Sequence, residues 1–146
     1  MNINTNAWNR FRYSLYAPLY DLIGSLFNKD RRRSIQTLDL QPGEKVLLVG
    51  AGTGIDIQFL PEDVCITAID ITPAMVRKIE THVNRLNRQV DTFVMDGQAL
   101  DFPDEVFDVV ILHLILAVIP DHYACISEVA RVLKPDGRVA IFDKFL

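Results

Sequence analysis

Cysteine is scarce in this chain, with only Cys65 and Cys125 among 146 residues. Neither belongs to a C-x-x-C pair or stands beside a histidine at ligand spacing. That excludes a thiolate metal site and a disulfide-stapled fold. Both stand among apolar neighbours, so buried free thiols in a reducing, cytoplasmic compartment are expected. Long apolar runs are missing too. The longest, "VVILHLILAVI" at Val109–Ile119, is interrupted by His113 and falls short of the roughly 20 residues that span a bilayer. The first thirty residues are polar and aromatic rather than basic-then-apolar, so no secretory leader is expected. No cluster of His, Cys, Asp and Glu has metal-ligand spacing, and no metal is expected.

Basic charge is in deficit. The net charge of −4 argues against a nucleic-acid partner. The deficit is uneven: residues 1–45 hold seven Lys/Arg against four Asp/Glu, and residues 46–146 hold eight against fifteen. A basic segment on an acidic body points to a negatively charged partner, such as a membrane surface, or else to a solvated helix face.

At 49% hydrophobic and 23% charged residues, the composition is that of one globular domain. Trp8, Phe11, Leu15, Leu19, Leu22 and Leu26 recur at helical spacing, and Pro18 breaks that pattern. A further helix is predicted from Asp30 to Leu38, carrying Arg31, Arg32 and Arg33. After the turn at Gln41–Glu44, strands and helices alternate. Strands are predicted at Lys45–Val49, Cys65–Asp70, Asp91–Met95, Val106–Leu112 and Arg138–Asp143. Helices are predicted from Gly54 to Leu60, from a Thr72 cap and Pro73 to Asn87, and over Tyr123–Leu133. Lys134–Gly137 reads as a turn. This order predicts an α/β, doubly wound, Rossmann-like parallel sheet of about five strands. Residues 1–44 would form an N-terminal helical lid, and residues 45–146 the core.

The stretch "VLLVGAGTGID" runs an apolar strand into Gly50, Gly52 and Gly54. Glycine lets a ligand approach the backbone at the start of a helix. The dinucleotide fingerprint G-x-G-x-x-G is not met, because Ile55 stands where the third glycine belongs. Asp70 ends the second strand, where a carboxylate can accept hydrogen bonds from both hydroxyls of a ribose. A nicotinamide cofactor and S-adenosylmethionine share that feature.

Asp96-Gly97 in "VMDGQAL", Phe107-Asp108 in "FDVVILH" and the turn of "ARVLKPDGRVAIFD" follow in order. Together these motifs resemble the class I S-adenosylmethionine-dependent methyltransferases over residues 45–143. The N-terminal "YAPLYDLI" and "RRRSI" are similar to the ubiquinone/menaquinone-type and phospholipid N-methyltransferase-like members. The resemblance implies that Asp96 and Gly97 hold adenine and Asp70 holds ribose. Gly50, Ala51 and Gly52 would pass beneath the methionine part. Ile71 and Met75 would pack near the adenosine, and the backbone of Leu112 and His113 would line the inner face. Tyr16 and Tyr20 would reach the site from the lid, Tyr20 and His113 being the catalytic candidates. His113 would act as a base toward an amine acceptor. His122 could reach the acceptor region, and His82 reads as solvated helix surface.

The sequence departs from that family twice. Leu48 stands where an acidic residue usually supports the methionine end, a contact worth about 1.5–3 kcal/mol. Asp56, just beyond the glycines, is expected to compensate in part. The chain also stops after strand five, without the family's last two strands. An exposed strand-five edge is then expected to associate, as in a homodimer. The reading that follows is transfer of a methyl group from S-adenosylmethionine to a small-molecule or lipid acceptor, in the cytoplasm or at a membrane surface. The alternatives are an inactive cofactor-binding module or truncated fragment and, with less support, an NAD-dependent oxidoreductase.

Overall fold

A computed structural model describes residues 27–143. The chain builds α1 (Asn28–Gln36), β1 (Lys45–Val49), a 3₁₀ helix (Ile55–Phe59) and β2 (Cys65–Asp70). It continues with α2 (Pro73–Leu86), β3 (Val90–Val94), β4 (Phe107–His113), α3 (His122–Val132) and β5 (Leu133–Phe142). The five strands form one sheet in the order β3-β2-β1-β4-β5, and every neighbouring pair is parallel. The order reverses between β1 and β4, and such a switch point opens a crevice at the carboxyl ends of the strands.

Burial on both faces explains the near-continuous apolar strands. Along β1, Val46 and Leu48 join one core cluster with Ile35, Ile57, Ile79 and Ile111. Leu47 and Val49 join the other, with Ile69, Val110, Leu112, Cys125 and Val129. The period-2 pleat sorts alternate residues to opposite faces, and each face is covered by helices.

Several local expectations change. The glycine loop leads into a five-residue 3₁₀ helix rather than an α-helix. Thr72 is the N-terminal flank of α2, but its side chain makes no cap bond. The carboxylate of Asp70 accepts from the Thr72 N–H instead, at 2.9 Å. Lys134–Gly137 is not a turn ahead of the last strand. β5 begins at Leu133, opposite Phe107, and pairing resumes at Val109–Arg138. The four residues between bulge out opposite Asp108. Pro135 has no N–H for a ladder, and a bulge is where a strand tolerates that. A Cβ at Gly137 would lie 2.7 Å from Leu133 Cδ2 and 2.9 Å from the Lys134 carbonyl oxygen, so the bulge needs glycine there. Cys125 is buried as expected, but Cys65 is exposed because it opens β2 at the strand's outer end. His82 is half-buried rather than solvated.

Candidate functional site

Gly50, Gly52 and Gly54 have φ of 64°, 62° and 83°, so all three adopt the left-handed conformation that favours glycine. Their spacing is therefore a backbone requirement. The loop is pinned to β2: Ala51 N–H donates to the Ile69 carbonyl at 2.9 Å, and Gly52 N–H donates to Asp70 Oδ2 at 2.9 Å. With Thr72 N–H on Oδ1, each oxygen of the Asp70 carboxylate holds one backbone donor and keeps acceptor capacity for a ligand. Asp70 is buried, and burial pushes its pKa up to about 6, against the opposing pull of the Thr72 and Gly52 N–H groups.

A cleft opens at the strand ends. Its walls are Val49 and Gly50 after β1, Asp70 and Ile71 after β2, Met95, Asp96 and Gly97 after β3, and Ile115, Val118 and Ile119 after β4. The structure thus brings together Gly50, Asp70, Ile71, Asp96 and Gly97 from three segments. Asp96 Oδ1 accepts from the backbone N–H of Gln98 at 2.8 Å, closing a local turn. The Gln98 Oε1 then accepts from Asp121 N–H at 2.8 Å, which ties this turn to the start of α3. A Cβ on Gly97 would lie 2.9 Å from Val49 Cγ1, so the wall leaves no room for one.

The cavity between these walls is about 30 Å³. Small-molecule sites are roughly 300–1,000 Å³, an order of magnitude larger. Ile115 is the reason: its Cγ1 stands 2.5 Å from where a Cβ of Gly50 would be. Leu114, just before it, has φ of 58°, which turns the chain sharply back over the glycine loop. The sequence reading missed Met95, Ile115, Val118 and Ile119. A signal was present: the apolar run at 109–119 is longer than β4, and its surplus covers the cleft.

Other expected site residues lie elsewhere. Met75 and Leu112 are sealed in the interior, and Gly54 packs against Ile57 and Ile79. Tyr16 and Tyr20 fall outside the described residues. His122 is exposed against Tyr123, with ring centroids 4.4 Å apart. Leu48 points into the core at 1% exposure, so no side chain there faces a ligand.

Asp56 and His113 meet each other instead of the cleft. His113 Nδ1 lies 2.8 Å from Asp56 Oδ1, and His113 Nε2 lies 2.9 Å from Ser34 Oγ. Arg31 Nη1 donates to Asp56 Oδ2 at 3.0 Å. All three charged or titratable groups are buried. Burial alone would raise the Asp56 pKa. The His113 hydrogen bond and the charges of His113 and Arg31 outweigh it and hold the carboxyl below its usual range. Arg31 therefore differs from Arg32 and Arg33, which are exposed. The cluster clamps α1 to the 3₁₀ helix and to the end of β4.

Known proteins share this architecture and these motifs. Over 130 residues the chain is 32% identical to a phosphatidylethanolamine N-methyltransferase of Cereibacter sphaeroides, covering 87% of this chain and 64% of that one. It is 36% identical over 128 residues to a demethylmenaquinone methyltransferase of Corynebacterium glutamicum (strain R), covering 84% and 53%. The chain thus spans between half and two thirds of the length of these relatives. A crystal structure of an S-adenosylmethionine-dependent methyltransferase from Aquifex aeolicus superposes with a TM-score of 0.70 at 25% identity, covering 78% of this chain and 63% of that one. A methyltransferase-domain family model matches residues 47–141, from β1 to β5. On that match, which takes in the glycine loop and every wall of the cleft, the chain belongs to the methyltransferase domain family.

Proposed function

We propose that this chain binds S-adenosylmethionine in the cleft and directs its methyl group to a small lipid or quinone-like acceptor. The observation that carries the reading is the convergence of Asp70, Asp96 and the bare Gly50 backbone on one apolar-walled cleft. The acceptor set fits the cofactor. The Asp70 carboxylate has capacity for two ribose hydroxyls, and the Asp96 carboxylate for an adenine amino group. Ile71, Met95 and Ile119 offer apolar surface to a flat ring.

The sulfonium of the cofactor supplies an already activated methyl group, so no metal or general acid is needed for its transfer. The residues supply position and dryness. Ile115 must withdraw from Gly50 to admit a nucleoside, and with Val118 and Ile119 it would then cover the ligand and exclude water. His113 has a partner on each ring nitrogen, which suits a positioning role at the end of β4 better than proton transfer in this closed state. The names of the two relatives support a lipid or quinone acceptor. The basic N-terminal segment supports contact with an anionic membrane surface. Among the described residues, no helix is long and apolar enough to cross a membrane.

Transfer of a labelled methyl group from S-adenosylmethionine to phosphatidylethanolamine, and separately to demethylmenaquinone, tests the reading. Product with one acceptor, lost in Asp70→Ala, supports it. Labelled product with neither acceptor, while the cofactor binds, favours the second reading.

That second reading is a binding module without turnover. Leu48 is in the core and both Asp56 oxygens are engaged, so neither offers a carboxylate to the cofactor's ammonium end. Its association surface would be β5, where Val139 is 39% and Ile141 50% exposed. Homodimer formation through that edge is part of this reading.

A further inference from the structure

Gln98 follows Asp96 by two residues, and its side chain is engaged at both ends. Its Nε2 donates to Asp96 Oδ1 at 3.1 Å and reaches Asp96 Oδ2 at 3.4 Å. Its Oε1 accepts from the Asp121 N–H at 2.8 Å. These partners fix which way round the amide lies, because an ionised carboxylate can only accept and a backbone N–H can only donate. Gln98 is therefore a strut between the carboxylate that follows β3 and the start of α3.

The loop does not need that strut for its shape. The Ala99 N–H donates to the Asp96 carbonyl at 3.1 Å. The Leu100 N–H donates to Glu128 Oε1 at 2.9 Å, and the Leu100 carbonyl accepts from Arg131 Nη2 at 2.9 Å. The helix α3 has its own cap, with the Ala124 N–H on Asp121 Oδ1 at 3.0 Å.

What the amide adds is the orientation of the Asp96 side chain. Asp96 is half-buried on the wall of the cleft, and the terminal torsion of an aspartate is soft. The Gln98 N–H already donates to Oδ1 at 2.8 Å. The Nε2 group supplies a second donor to that oxygen and reaches across toward Oδ2, which opposes rotation of the carboxylate plane.

We propose that Gln98 is a positioning residue that sets base selectivity in the cleft, by holding the Asp96 carboxylate in place. The proposal rests on the reading of the cleft as an S-adenosylmethionine site. A carboxylate there accepts from the 6-amino group of adenine. A base with a 6-oxo group brings an acceptor to the same place, and two acceptors then face each other without a proton between them. A carboxylate that can turn aside leaves the wrong base unopposed, so the rejection is only as sharp as the carboxylate is fixed.

Titration calorimetry of the full chain at pH 8, with S-adenosylhomocysteine and with its 6-oxo analogue S-inosylhomocysteine, tests it. The wild type is expected to prefer the amino ligand by about a hundredfold or more. Gln98→Met has a similar length and no donor, and it should narrow that preference about tenfold, the scale of one charge-assisted hydrogen bond. Gln98→Glu keeps an oxygen for the Asp121 N–H and removes the donor to Asp96, so it should narrow the preference too. Thermal unfolding of each unliganded variant is the folding control. Weakening of both ligands by one factor, with the preference intact, would show a role in the loop's shape alone and overturn the proposal. A preference that survives in Gln98→Glu would overturn it as well, since only the tie to α3 is then at work. Failure of the underlying reading looks different: the wild type binds neither ligand, and the proposal falls with it.

Discussion

Asp56 Oδ1 and His113 Nδ1 lie 2.8 Å apart in the interior, and the partner oxygen of Asp56 receives Arg31 at 3.0 Å. These two residues come from the segment after the glycine loop and the end of β4, and Arg31 comes from α1. The cluster is therefore a clamp between the N-terminal region and the core. It leaves neither Asp56 nor His113 turned toward the cleft.

Breaking the clamp from one side should cost more than the pair contributes, because it strands a buried charge. Asp56→Ala is expected to destabilise the fold by about 3–5 kcal/mol. Chemical denaturation reads this directly. A loss below about 1 kcal/mol, the value of an exposed pair, would show that the clamp is not buried in solution.

The same carboxyl sets an acid limit. Its folded pKa is below the ordinary 3.8, so its stabilising share is complete above that value and is lost as pH falls through the folded pKa. Unfolding midpoints measured from pH 5 downward should fall less steeply in Asp56→Asn than in the wild type. Equal slopes would contradict the assignment.

Asp70 behaves in the opposite sense. Its folded pKa of about 6 lies above the ordinary 3.8, so the folded state binds its proton more tightly. That contribution is complete below 3.8 and lost as pH rises through 6, a change of about 3 kcal/mol for two pKa units. Ribose hydroxyls donate to the carboxylate form. S-adenosylhomocysteine affinity should therefore rise by up to about tenfold per unit as pH rises toward 6, then level off. Calorimetry in buffers of different ionisation heat should detect proton release on binding near pH 5.5. Affinity flat between pH 5 and 7 would remove Asp70 from the ligand.

Ile115 and Gly50 should be energetically coupled. Gly50→Ala places a Cβ 2.5 Å from Ile115 Cγ1, in addition to a left-handed backbone. The substitution is expected to cost about 2–4 kcal/mol, of which Ile115→Ala should restore the steric part, about 1–3 kcal/mol. Ile115→Ala alone opens the cleft and should speed cofactor association in stopped-flow measurements. Additive effects of the two substitutions on stability would place Ile115 elsewhere in solution.

Strand-five association has its own check. Ile141→Lys should abolish any dimer seen by sedimentation in the wild type. A wild type that is monomeric at 100 times assay concentration would dispose of the dimer.

Much of the sheet was legible because burial on both faces writes continuous apolar runs, and each strand ends at a polar or glycine signal. The bulge at Lys134–Gly137 was not, because a Pro-Asp-Gly string specifies a reversal of direction without saying whether strand pairing surrounds it. Asp70, Asp96 and Gly97 were legible as strand-end residues of a family pattern, and they do share one cleft. The contacts of Asp56 were not legible because its partners are Arg31, 25 residues earlier, and His113, 57 residues later, and no local pattern announces such contacts. Ile115 was missed because an apolar run carries no mark of where strand ends and cover begins.

Thermal unfolding with and without S-adenosylhomocysteine tests the central claim most directly, with nicotinamide dinucleotides as controls. At 100 times its dissociation constant the ligand adds about 2.7 kcal/mol, a shift of several degrees in a domain of this size. The account predicts that shift with S-adenosylhomocysteine, its loss in Asp70→Ala, and none with the dinucleotides. No shift with S-adenosylhomocysteine, or an equal shift with a dinucleotide, would contradict the assignment of the cleft.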